Sequence, residues 1–185
     1  MDFLNSIILL TNFIIVPGIT YGSQLALGAI GVTLIYGVLR FANFAYGDLM
    51  AFGTMIVILV TWFLQSKGIT FGLLPTALLA LPVGILLTIA VSLFFDKTVF
   101  EYYRNKKSDP VTFIVVSLGI MFVLNAVVRI IIGPNDINFM DGHKFIMKAR
   151  EFKQMTGLNE GLALKSTQVI TLITTIITCS ILFYF

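Results

Sequence analysis

Apolar residues run along this chain in long unbroken blocks, and polar residues are confined to short gaps between them. No charge occurs between Asp2 and Arg40, and further charge-free runs cover residues 49–66, 68–95, 110–128 and 166–185. A spanning helix needs roughly 20 largely apolar residues at about 1.5 Å rise each, so each run is long enough to cross a bilayer. The blocks are continuous rather than alternating, and a bilayer offers backbone amides no water, so the pattern predicts helices and not barrel strands. The expected fold is an all-α integral membrane protein with about five transmembrane helices plus a short N-terminal lead-in helix.

The breaks between blocks place the elements. Residues 3–39 are too long for one straight span, and Pro17 in "VPGITYG" removes a helix hydrogen bond. A lead-in helix followed by a span over Thr20–Leu39 is expected. Further spans are expected over Leu49–Leu64, Leu73–Phe95, Val111–Ile132 and Thr167–Phe185, with Pro75 at a helix start and Pro82 at a kink. Residues 96–110 read as a compact basic loop, "GPND" at 133–136 as a stop, and 133–165 as a long polar connection outside the membrane. Residues 1–185 form a single transmembrane domain on this reading. The last apolar run meets no flanking charge, which suggests a fragment lacking later spans.

Composition agrees and narrows the class. The chain is 58% hydrophobic and 11% charged, with a mean hydropathy of +0.99, whereas soluble domains carry about 25% charged residues. The net charge of +3 comes from loop residues flanking spans. Such residues suit anionic lipid headgroups and call for no nucleic-acid partner. "MDFLNSIILL" has no basic segment and no small-residue cleavage site, so no signal peptide is expected to be removed. The lone Cys179 reads as a small hydrophobe.

If five spans alternate, Arg40, Lys97, Arg104, Lys106 and Lys107 share one side, and Lys67, Lys144, Lys148, Arg150, Lys153 and Lys165 the other. Five against six does not orient the chain by number, but the denser charge of residues 96–110 favours the cytoplasm for that loop. No phosphate-cradling loop, HExxH or GxSxG occurs, and no cysteine or histidine pair stands at metal-ligand spacing. No catalytic residues, metal or cofactor are therefore expected, and His143 reads as a solvated loop residue.

The polar residues inside the apolar blocks carry the remaining information. Gly18, Gly22 and Ala26 recur every four residues, a stripe that lets helices pack closely in lipid. Gln24, Thr33, Tyr36 and Asn125 must bond another helix or face a polar cavity. Arg129, near the end of its span, reads as an interfacial anchor. The strongest signal is "RFANFAYGDLM" at 40–50. Asn43 bonds local backbone, Gly47 permits positive φ, and Asp48 falls where the next helix's dipole favours a carboxylate. The stretch reads either as a capped turn or as a helix break lining a transport route.

The run from Tyr21 to Gly53 resembles the permease subunits of bacterial branched-chain amino acid ABC importers. In that family a G-S-x-x-A-L-x-A-x-G-x-T-x-x-Y-G segment leads into N-F-A-H-G-[ED]. Gly22, Ser23, Ala26, Leu27, Ala29, Gly31, Thr33, Tyr36, Gly37, Asn43, Phe44, Ala45, Gly47 and Asp48 match it. A looser likeness follows at Ser117, Gly119 and Asn125, and Tyr46 departs from the family's usual histidine. The resemblance implies a multi-pass protein of the bacterial inner membrane. It implies a second permease subunit, separate ATP-binding subunits and a periplasmic solute-binding protein as partners, and branched-chain amino acids or related small polar solutes as cargo. Gln24, Thr33, Tyr36, Asn43, Gly47, Asp48 and Asn125 become the candidates for its path. The alternatives are a secondary transporter, which usually needs a coupling carboxylate within the membrane, and a non-transporting hydrophobic subunit of a membrane complex.

Overall fold

A computed structural model describes residues 2–69, 74–135, 139, 141, 145–156 and 160–184. Among them five helices are long and apolar enough to cross a membrane: Asn5–Leu39, Ala45–Ser66, Ala77–Asn105, Pro110–Ile132 and Ser166–Tyr184. The all-α membrane fold is thus as the apolar blocks require. The chain forms two compact units, one of Met1–Gly31, Gly72–Pro75 and Gly142–Phe185, the other of Val32–Phe71 and Thr76–Asp141.

The lead-in helix α1 (Asp2–Leu10) joins α2 (Val16–Leu39) through a π-helical turn, Thr11–Ile15. The irregularity therefore falls one turn before Pro17 rather than at it. A proline ring crowds the carbonyl four residues back, here that of Phe13, and the wider π turn contains that residue. The Val16 amide accordingly bonds Thr11, five residues back.

In the second unit α3 (Ala45–Ser66) packs against both α4 (Ala77–Phe95) and α6 (Pro110–Ile132). Two glycines set the α3–α4 crossing. A methyl group at Gly53 would lie 2.6 Å from Thr88 Oγ1, and one at Gly84 would overlap Val57 Cγ2 and stand 3.4 Å from the Gly53 carbonyl. In lipid, where apolar surface gains little by leaving the solvent, such close backbone approach is what holds helices together. The expected stripe, Gly18, Gly22 and Ala26, takes no part in this crossing and is exposed in the chain by itself. No described atom comes within 4 Å of a methyl built at Gly18 or Gly22.

Residues 96–110 are less of a loop than the charge pattern predicts. A π turn, Asp96–Phe100, and α5 (Glu101–Asn105) carry the helix onward, leaving only 106–109 outside regular structure. The extension is held by Arg104, whose Nη1 and Nη2 donate to the two oxygens of Asp96 at 3.0 and 2.9 Å. Pro110 then opens α6 at its first turn, where a missing N–H costs nothing, and Gly133, at φ 105°, closes it. At the start of α4, Asp141 accepts hydrogen bonds from the Ala77 amide and from Gln65 Nε2, both at 2.8 Å.

In the first unit, the polar connection contains β1 (Phe145–Met147), α7 (Ala149–Thr156) and β2 (Leu164–Lys165), the strands pairing antiparallel with a bulge. Asn12, in the π turn, clamps the segment before β2. Its Nδ2 donates to the Gly161 carbonyl at 2.7 Å, and its Oδ1 accepts from the Ala163 amide at 3.0 Å. In α8 (Ser166–Tyr184) the hydroxyls of Thr171, Thr175, Thr178 and Ser180 turn back onto carbonyls four residues earlier, which hides their polarity from lipid. Cys179 is exposed on this helix.

The crossing makes a definite prediction. Gly84→Ala should destabilise the chain by about 1–3 kcal/mol through overpacking, and Val57→Ala in the same chain should recover most of the loss. Reversible unfolding in mixed micelles measures both, and additive effects would refute the contact.

Candidate functional site

The backbone between α2 and α3 makes its turn with residues other than those the sequence suggests. The Arg40 amide still bonds the Tyr36 carbonyl at 2.9 Å, but Arg40 itself adopts the left-handed conformation, φ 60°. Gly47, expected to supply that geometry, lies inside α3 without a positive φ. The helix has already started at Ala45, so no left-handed residue is needed there. Asn43 behaves as expected: its Oδ1 accepts from the Ala45 amide at 3.1 Å. The next free amide, that of Phe44, donates to Ser117 Oγ at 3.1 Å, while Ser117 donates onward to the Ile114 carbonyl at 2.8 Å.

These bonds locate the break. Ser117 is fully buried and seven residues past Pro110, which is about 10 Å along α6. The N-terminus of α3 therefore begins well inside the length of its neighbour. Beneath the turn, Phe41 is buried against Phe113 and Phe100, with ring centroids 5.1 and 5.7 Å away. Phe41, Ala45, Phe100, Ile120 and Leu124 form the apolar core of this unit.

Asp48 lies in the first turn of α3, as predicted, but it does not cap the amides there. Its Oδ1 accepts from Asn125 Nδ2 at 2.9 Å, and Asn125 Oδ1 in turn accepts from Arg129 Nε at 2.8 Å. Carboxylate, amide and guanidinium thus form one relay from α3 to successive turns of α6. Asn125 is both an interhelical bond and a cavity wall, which joins the two readings open for it. A cavity of about 260 Å³ is bordered by Asp48, Ala51, Asn125, Arg129 and Asn135. A second, of about 240 Å³, is lined by Asn43, Tyr46, Ser92 and Asp96 among apolar residues.

The other candidates stand apart from the relay. Thr33 and Tyr36 are exposed on α2, Tyr36 by 57%. Gln24 is exposed in the portion of α2 that belongs to the first unit. His143 lies outside the described residues, and no group of three or more potential metal ligands occurs among those described. Ser117 and Arg129 are the residues of this arrangement that the sequence reading undervalued. Ser117 is a small hydroxyl in an apolar span, and Arg129 lies four residues after Asn125. That spacing puts both on one helix face and was the available signal.

Comparison with known proteins agrees with this architecture. A family model described as "Branched-chain amino acid transport system / permease component" matches residues 14–185. The chain is 30% identical over 121 residues to the high-affinity branched-chain amino acid transport system permease protein LivH of Escherichia coli (strain K12), covering 65% of this chain and 38% of that protein. It is 28% identical to LivH of Salmonella typhimurium over the same extent. A shorter match, 38% over 55 residues, joins it to the permease protein BraD of Pseudomonas aeruginosa, covering 30% of this chain and 18% of that one. No solved structure matches. The chain therefore spans about 38% of the length of the LivH relatives it matches. With the family model matching nearly its whole length, this protein belongs to the branched-chain amino acid transport system permease component family.

Proposed function

We propose that this chain forms part of the transmembrane path of an ATP-binding-cassette importer for branched-chain amino acids or related small polar solutes. The observation that carries the reading is the break at 40–44, recessed along α6 and leading into the Asp48–Asn125–Arg129 relay beside two cavities. Helix interruptions are tolerated at membrane depth where they line a protected or wet route, and they aim backbone and side chains into it. An amino acid crosses as a zwitterion. The relay offers a carboxylate for its ammonium group and a guanidinium for its carboxylate, held apart by one neutral amide.

On this reading Asn43, Gly47, Asp48 and Asn125 border the route directly, and Gln24, Thr33 and Tyr36 contribute from α2. A second permease subunit faces them, and a periplasmic binding protein delivers the solute. Separate ATP-binding subunits hydrolyse ATP and drive alternation between outward and inward access. The basic segment 96–110 faces the cytoplasm, and the connection 133–165 lies outside the membrane on the opposite side of the bacterial inner membrane.

In proteoliposomes holding the complete assembly, uptake of leucine should require both ATP and the binding protein. Uptake driven by an ion gradient without ATP would reject the mechanism. Asp48→Asn should lower ATP-driven uptake at least tenfold while the Asp48–Asn125 interaction, measured by a double-mutant cycle of unfolding, accounts for only about 0.6–1.7 kcal/mol. A loss of uptake fully explained by reduced folded protein would assign the relay to structure alone. Gly47→Leu supplies an independent probe, since a β-carbon built there meets no described atom within 4 Å beyond its own helix. It should insert and fold normally yet slow transport, and unchanged transport would remove Gly47 from the path.

A further inference from the structure

A different site lies where α2 stops and α6 starts, and it is independent of the transport reading. A cavity of about 400 Å³ is lined by Arg40, Arg104 and Ser108 together with Phe41, Phe100 and Phe113. The aromatic wall is continuous: Phe100 and Phe113 stack at 6.4 Å with planes 11° apart, and Phe41 lies 5.1 Å from Phe113. The three candidate spans that supply its lining end at Leu39 and Asn105 and begin at Pro110. Leu39 and Pro110 themselves line it. The cavity therefore lies at span ends, the depth at which lipid headgroups meet hydrocarbon, and offers cations and aromatic rings together there.

Only part of this positive charge is paired within the protein. Arg104 uses two N–H groups on Asp96, and a guanidinium carries five. Arg40 has no ion-pair partner among the described residues. The backbone adds a second observation. Arg40 (φ 60°) and Lys107 (φ 52°) are the described non-glycine residues with positive φ. Glycine or asparagine would adopt that conformation with less strain, yet both positions hold cations, one in the cavity wall and one next to Ser108. Residues held in sparsely populated conformations cluster at binding sites, and Arg40 is the one that lines this cavity.

A ligand for such a site needs a compact anion joined to an apolar body. We propose that the cavity binds one anionic phospholipid, its phosphate on Arg40 and Arg104 and its acyl chain along the Phe41–Phe100–Phe113 wall. Basic pockets between spanning helices recognise lipid phosphates in this way. A free phosphate would satisfy the arginines but leave the aromatic wall bare.

Native mass spectrometry of the full chain, extracted from vesicles of phosphatidylcholine containing a minor share of phosphatidylglycerol, tests the proposal. Wild type should retain one phosphatidylglycerol in preference to phosphatidylcholine. Arg40→Gln and Arg104→Gln should each weaken retention about fivefold, the worth of one cation near an anionic headgroup. Asp96→Asn, which frees Arg104, should tighten it, an outcome that damage to the fold would not produce. Helicity by circular dichroism checks that each variant is folded, and the Asp96 variant decides the matter if an arginine variant is not. Equal retention by all four proteins would overturn the proposal. So would full displacement of the lipid by inorganic phosphate, or retention of phosphatidylcholine as readily as phosphatidylglycerol.

Discussion

An apolar solvent supplies no hydrogen bonds, and that constraint governs every departure from helix in this chain. A helix interrupted in lipid leaves amides and carbonyls unpaired at a cost of several kcal/mol each, so a break survives only where the protein itself provides partners. The turn at 40–44 meets the demand residue by residue: a backbone carbonyl for Arg40, the Asn43 side chain for Ala45 and the Ser117 hydroxyl for Phe44. The last of these is the decisive one, because it comes from another helix. It fixes the height at which α3 begins and so the height at which Asp48 can meet Asn125.

The same constraint explains why the relay contains three members rather than two. A carboxylate and a guanidinium need partners for more than their charge, since each has several hydrogen-bonding positions. Asn125 can donate to one and accept from the other at once. An amide at this position holds opposite charges on one wall without collapsing them into a closed pair.

Much of this was legible in the chain itself, and what was not has physical reasons. Five apolar blocks announced five helices because span length is set by the bilayer and not by packing detail. Asn43 and Asp48 stood out because polar groups are costly in that setting. The site of positive φ was misplaced, since Gly47 looks the natural choice by local sterics, and only the contacts of Phe41 show why the chain must turn earlier, at Arg40. The regular stripe Gly18–Gly22–Ala26 suggests helix packing in one segment, whereas the close approach seen among the described residues uses single glycines, Gly53 and Gly84, on two different helices. A stripe is visible in one segment; a crossing is a property of two. The π turn after Phe95 was hidden for a similar reason: "DKTVFEYYRN" is charged enough to read as loop until Asp96 and Arg104 are seen to meet across it.

The glycine crossing also has a mechanical meaning. Thr88 sits over Gly53 and Val57 over Gly84, each filling the space a single methyl group would need. Such teeth permit neither sliding along the helix axes nor rotation about them without first prising the backbones apart, and hydrocarbon would gain nothing by filling the gap. The crossing thus ties α3 and α4 into one stiff plank, and bending of this unit must come from joints outside the pair.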